Sequence, residues 1–289
     1  MNGFLLIDKA GGMTSHDVVA MARKKLDTKK VGHAGTLDPM ATGVLVLGVG
    51  IATRLLTYIT DGKKTYEATI SLGKSTHTDD KEGEVLSSHS INHITDDAIR
   101  SYLSSQVGII MQVPSKVSAI KIAGERAYDL VRQGKEVEIP ARQVEISKLE
   151  VIAISRNEFI DIDIDVTCSA GTFIRAIARD LGEELKVGGH LSALRRTRVA
   201  GFALDVATSI EDLKAKNFIA LDLTEVARRT FDARELTVEE VRELSFGRPL
   251  SPSASDGIVA GVSGENELIA LLKNESDKAK PVAVFAAAH

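Results

Sequence analysis

The 289-residue sequence contains no tryptophan, one cysteine (Cys168), six prolines and only 4% aromatic residues. A single cysteine excludes an intrachain disulfide and any cysteine-clustered zinc site, and it favours a reducing, cytoplasmic setting. His33, His77 and His190 lack the close pairing of a metal-binding helix, so no metal is expected. No run approaches the roughly 20 apolar residues of a membrane helix, so no membrane partner is expected. The segment Met1–Asp8 lacks a basic leader and reads as a first strand. Excess charge of either sign is missing too: 36 Lys+Arg stand against 40 Asp+Glu, a formal −4. That balance does not propose a polyanion as partner. It is unevenly spread, however: residues 205–289 hold 10 basic and 15 acidic side chains, whereas Gly171 to Gly201 holds six basic and three acidic ones.

What is present is an ordinary globular composition with alternating element signals. Residues 2–7, 44–49, 66–72, 145–154 and 159–166 read as strands. In the last of these Ile160, Ile162, Ile164 and Val166 alternate with Asp161, Asp163 and Asp165. Thr14-Ser15 caps a helix, Ala52 to Ile59 forms a short one, and Asp96 to Leu103 and Thr172 to Leu185 form two more. Residues 30–43, rich in Gly, Thr and Pro, read as a loop, and residues 126–131 as a short helix. A boundary near 222–232 precedes β-like runs at 258–262, 268–272 and 282–285.

Several residues stand out chemically. Asp38 lies between Leu37 and Pro39, and proline restricts its backbone to extended conformations. A rigidly held carboxylate can act as a nucleophile, although an Asp-Pro turn has the same appearance. Arg175 sits early in a helix, where the dipole does not call for a cation, which points to an anionic partner. Tyr66 and Phe173 are scarce aromatics near polar loops, where flat rings can stack on bases. The cluster Leu194-Arg195-Arg196-Thr197-Arg198 reads equally well as a solvated patch or a phosphate clamp.

Five ordered blocks tie these residues together. They are Asp8-Lys9 with Thr14 to Val19; Gly32 to Gly43; Lys64-Thr65-Tyr66 with Leu72-Gly73, Thr76 to Asp79 and Gly83; Pro114 to Lys121 with Gly124 and Arg126-Ala127-Tyr128; and Cys168 to Arg175 with Gly189-His190 and Leu194 to Thr197. In this order the sequence resembles the TruB family of tRNA pseudouridine synthases, over roughly residues 3–203. The resemblance implies an α+β pseudouridine synthase fold, a mixed and largely antiparallel sheet with flanking helices. It implies a catalytic domain over 1–225 with an RNA-clasping insertion at about 110–145, and a small β-rich, PUA-like domain over 226–289 that touches the acceptor arm. It also implies roles: Asp38 as catalytic aspartate, Arg175 as its partner, Tyr66 stacked on the target base, His33 packed into the tRNA T-loop, and Phe173 and Leu194 lining the uracil pocket. The activity implied is isomerisation of uridine 55 by base flipping, without a cofactor.

The sequence departs from the family pattern in places. Ala10 follows Lys9 where proline is usual, which predicts a looser loop. Arg54 replaces a common lysine, and Phe173 a frequent tyrosine. The acidic C-terminal segment fits the PUA pattern poorly. Related guide-RNA-dependent synthases carry extra terminal segments and protein partners. The first block begins within a few residues of Met1, so a stand-alone monomer without an obligate protein partner is expected. A tRNA-folding chaperone would use the same RNA grip but would need neither Asp38 nor Arg175.

Overall fold

A computed structural model describes residues 1–117, 121–122, 125–126 and 139–285. The strands are β1 (Gly3–Lys9), β2 (Val31–Ala34), β3 (Thr42–Val49), β4 (Lys64–Leu72), β5 (Lys74–Thr76), β6 (Val85–Ser88), β7 (Gly108–Gln112), β8 (Lys121–Ile122), β9 (Glu125–Arg126), β10 (Arg142–Arg156), β11 (Ile160–Cys168), β12 (Gly189–Val199), β13 (Phe202–Ala203), β14 (Asp232–Glu235), β15 (Ile258–Val262), β16 (Leu268–Glu275) and β17 (Lys278–Val284). The α-helices are α1 (Ser15–Leu26), α2 (Leu56–Thr60), α3 (Asp96–Ser105), α4 (Ile174–Glu184), α5 (Ile210–Ala215), α6 (Leu223–Thr230) and α7 (Val238–Ser245). They divide between two compact units: Met1–Asp38 with Val44–Thr60 and Ala200–His289, and Pro39–Gly43 with Asp61–Val199.

In the first unit, β1 and β3 are nearly all buried because both are continuous apolar runs. Leu5, Ile7, Leu45 and Leu47 meet Val18, Val19 and Ala22 of α1 and Leu213 of α5. Burying each of the large side chains contributes roughly 1.5–3 kcal/mol. Helix α1 starts at Thr14, whose hydroxyl accepts from the Asp17 N–H while the Asp17 carboxylate accepts from the Thr14 N–H, a capping box. The loop before it lacks the usual proline but is tied by the buried Lys9, whose ammonium donates to the carbonyls of Ala10 and Met13 at 2.9 and 2.7 Å. Towards the C-terminus, β14–β15–β16–β17 form a separate four-stranded sheet, with a small core of Leu236, Leu244, Leu250, Ile269 and Leu272.

The second unit is a sheet in the order β12–β4–β11–β10–β7, antiparallel throughout. Residues Thr42 and Gly43 add a short parallel contact to Arg195 and Arg196. Alternation assigns the faces. Tyr66, Ala68, Ile70 and Leu72 share one face with Ile160, Ile162, Ile164 and Val166, and these are buried. Glu67 and Thr69 share the opposite, more open face with Asp163 and Asp165. Cys168 ends β11 in the interior, where burial pushes its thiol up to about 11, so it is a packing residue rather than a reactive one.

Three expectations change. Residues 31–34, expected in a loop, form β2, because Val31 to Ala34 pair with Val49 to Val46 of β3. The basic cluster 194–198, which reads as a solvated patch or a phosphate clamp, is only partly solvated: Arg198 is exposed and Arg195 half-buried. It is the interior strand β12, with Arg196 only 1% exposed. Of the helix expected at 126–131, Arg126 lies in β9 and the rest lies outside the described residues, as does much of the insertion.

Gly43 allows the parallel contact. Its φ is +99°, and a Cβ there would sit 2.2 Å from the Arg196 carbonyl oxygen. Gly43→Ala is expected to destabilise the protein by at least about 2 kcal/mol, from left-handed strain plus overpacking. Urea denaturation of the purified variant checks this.

Candidate functional site

Asp38 lies in the middle of the loop of residues 35–41 that joins β2 to β3. Its position is set one residue earlier. The buried Ser15 hydroxyl accepts from the Leu37 N–H at 2.9 Å and donates to the Leu37 carbonyl at 3.2 Å. Leu37 itself is 3% exposed. Ser15 thus pins the loop from the start of α1, while Thr14 alone serves as helix cap. Asp38 is left half-buried, between a pinned residue and a proline. His33 lies on β2, its ring edge-on to His16 with centroids 5.5 Å apart.

In the second unit, Tyr66 lies on the buried face of β4, opposite Val166 on one side and Arg196 on the other. Leu194 pairs with Ala68 on the same face. Two residues before Tyr66, Lys64 is buried as well. Burial first, and the nearby Arg196 second, push its ammonium down to about 8. Phe173 is the N-cap of α4, and its side chain makes no capping bond. Gln112 at the end of β7 does that work from elsewhere: its Oε1 accepts from the Phe173 N–H at 2.8 Å and its Nε2 donates to the Phe173 carbonyl at 3.1 Å. The Arg142 guanidinium lies 5.8 Å from the Phe173 ring centroid.

Arg175 occupies the first turn of α4 and is 5% exposed. Its Nη1 donates to the Thr78 carbonyl at 2.7 Å and meets Asp80 Oδ2 at 3.2 Å, and its Nη2 donates to the Val117 carbonyl at 3.1 Å. Asp80 is buried too; its other oxygen accepts from the Thr78 hydroxyl at 2.6 Å and the Glu82 N–H at 3.0 Å. A buried ion pair with this many hydrogen bonds fixes a guanidinium in one orientation. Next to it, burial raises the Asp79 carboxyl above its ordinary value, against the pull of Arg179 at 3.4 Å.

Sequence reasoning anticipated an anionic partner for Arg175 but did not find Asp80, Gln112 or the bond from Ser15 to Leu37. Asp80 had a visible signal, since it directly follows the matched block Thr76 to Asp79. Gln112 showed as one polar residue in an apolar run. A cavity of about 650 Å³ opens on the other face of the same sheet, lined by Glu67, Lys81, Asp163 and Arg195, with Leu194 also in its wall. Tyr66, Phe173 and Arg175 are not part of its lining. Among the described residues, no group of three or more His, Cys, Asp or Glu is placed to hold a metal ion.

Known proteins give this arrangement its context. The model for the TruB family pseudouridylate synthase N-terminal domain matches residues 23–174. Models for the tRNA pseudouridylate synthase B C-terminal domain and for tRNA pseudouridine synthase II, C terminal, match residues 175–235 and 231–286. A tRNA pseudouridine synthase B of Arthrobacter sp. (strain FB24) is 50% identical, over 99% of this chain and 97% of that protein. The one from Mycobacterium leprae (strain TN) is 51% identical, over 98% and 90%. Among solved structures, an H/ACA ribonucleoprotein bound to a substrate RNA containing 2′-deoxyuridine aligns with a TM-score of 0.73, at 22% identity, over 99% of this chain and 86% of that one. The archaeal box H/ACA Nop10–Cbf5 complex aligns with a TM-score of 0.74, at 22% identity, over 99% and 87%. The structural likenesses establish the pseudouridine synthase fold, and the relatives near 50% identity establish the kind of enzyme: the chain belongs to the TruB family of tRNA pseudouridine synthases and is an isomerase.

Proposed function

We propose that this enzyme converts uridine 55 of the tRNA T-loop to pseudouridine, with Asp38 as the nucleophile. The observation that carries the proposal is the anchoring of the Asp38 loop by Ser15. An aspartate in an idle turn has no need of a neighbour held by two hydrogen bonds from a buried hydroxyl. A nucleophile does, because misplacement by about 1 Å costs on the order of 100-fold in rate.

The target uridine is stacked inside a folded loop, so it leaves the stack to react. In this reading His33 fills the space it leaves, Tyr66 stacks on the flipped ring, and Phe173 and Leu194 enclose it. Arg175 pairs with Asp38, favouring its ionised form and aiming it. The C1′–N1 bond breaks, the uracil turns over, and C5 bonds to C1′. The proton on C5 is lost and N1 gains one, so the change is an isomerisation with no net electron transfer and no call for a cofactor. The catalytic domain of 1–225, the PUA-like assignment of 226–289 and action without an obligate protein partner belong to the same proposal.

Purified protein incubated with an unmodified tRNA transcript, without added cofactor, is expected to place pseudouridine at position 55 and nowhere else. Primer-extension mapping after carbodiimide treatment reads the position. An unmodified position 55 would overturn the proposal.

A further inference from the structure

The chain as a whole is acidic, which makes one local exception informative. Arg23, Lys24, Lys25, Lys29 and Lys30 place five cations in eight residues, against the single carboxylate of Asp27. Among the described residues, none of the four lysines forms an ion pair. The helix dipole accounts for cations in the last turn of α1, but Lys29 and Lys30 lie beyond its cap at Asp27.

The backbone that carries these side chains is fixed. Asp27 takes the left-handed conformation, and its N–H and that of Thr28 both donate to the Arg23 carbonyl. Lys30 N–H donates to the Thr28 hydroxyl, and its carbonyl accepts from Gly50 N–H at 2.8 Å. The Arg23 guanidinium donates to the Val31 carbonyl at 2.8 Å, holding the helix end to the start of β2. A merely solvated lysine run needs no such framework.

The cluster also has a direction. Val18, Val19 and Ala22 bury one side of α1, while His16, Ala20, Arg23 and Lys24 line the exposed side. From His16 to Lys24 is about 12 Å along the helix. His16 touches His33, and Lys30 lies three residues before His33, about 10 Å along an extended chain. The one acid at the near end, Asp17, is turned into the capping box. A small residue, Ala20, leaves the middle of the stripe open to close approach.

We propose that the outer stripe of α1 and the turn after it form a phosphate track, in which Arg23, Lys24, Lys29 and Lys30 hold the RNA backbone leading away from the loop engaged at His33. The inference rests on the proposed function, since it takes the T-loop as the RNA element at His33. Its span suits a few consecutive phosphates, and it recognises charge and spacing rather than sequence.

The test uses the full chain and an unmodified tRNA transcript. A Lys24→Gln, Lys29→Gln, Lys30→Gln triple variant is compared with a control triple, Lys186→Gln, Lys214→Gln, Lys216→Gln, which removes the same charge elsewhere. The track variant is expected to bind about tenfold more weakly near 0.1 M salt, with the slope of log affinity against log salt shallower by roughly 2 to 3. Its single-turnover rate at saturating enzyme is expected to stay unchanged, and the control to match the parent. An unchanged slope overturns the track, as does an equal loss in the control, which makes the effect one of bulk charge. If the parent leaves uridine 55 unmodified, the proposed function fails. The binding comparison then still decides whether the phosphates are held here.

Discussion

Asp38→Asn is expected to lower pseudouridine formation by at least about 10⁴-fold while changing tRNA affinity by less than about threefold. The substitution replaces one oxygen by an NH₂ group of nearly the same size. The substitution leaves the two hydrogen bonds between Ser15 and Leu37, which anchor the loop, untouched. A half-buried, isosteric change of this kind costs little stability. On the proposed function, what is lost is the carboxylate, and an amide is a far weaker nucleophile. Single-turnover assays with labelled tRNA and filter binding read the two quantities separately. Retained turnover would remove Asp38 from the mechanism. An RNA-folding chaperone would keep its full activity in this variant, so the same protein separates the two roles.

The second large effect is expected at Arg175. Arg175→Ala removes the guanidinium that joins Asp80 to the carbonyls of Thr78 and Val117. Asp80 then stays buried with its principal cation gone, which destabilises the fold by roughly 3–5 kcal/mol. A milder change is therefore needed beside it. Arg175→Lys keeps the charge but not the planar fork that reaches several acceptors at once. It is expected to fold and to bind tRNA nearly as the parent does, with kcat lowered at least about 100-fold and KM nearly unchanged. The opposite split, KM raised with kcat intact, would make Arg175 a phosphate contact instead of the partner of Asp38.

Much of the fold is legible in the sequence where burial follows a simple period. The isoleucine–aspartate alternation of β11 gives its two faces directly, and the Thr14 cap with Asp17 three residues on announces α1. Strand β12 is not legible, because Arg195-Arg196-Thr197-Arg198 has the composition of a surface. It lies inside the sheet because neighbours satisfy its polar groups: Arg195 donates to the Thr42 hydroxyl, and Thr197 to the Thr65 carbonyl. Strand β2 is hidden for a different reason. Its Gly-His-Ala has little strand preference, and pairing with β3 decides it. At the candidate site, the ordered motifs single out Asp38, Arg175 and Tyr66. Ser15, Asp80 and Gln112, which hold Leu37, Arg175 and Phe173, are common polar types whose roles appear only once distant segments meet.

The two hydrogen bonds between Gln112 and the backbone of Phe173 have one more consequence. Together with the bond from Arg175 to the Val117 carbonyl, they attach the start of α4 at two points to the stretch 112–117. That stretch belongs to the insertion expected to clasp RNA. Any force on it is therefore felt at the guanidinium two residues into the helix. In linkage terms, RNA that tightens residues 112–117 also narrows the orientations open to Arg175, and an ordered Arg175 strengthens RNA binding by the same factor. Under the proposed function, grip and aim are then one equilibrium, and hydrogen exchange at the Phe173 amide is the place to observe it.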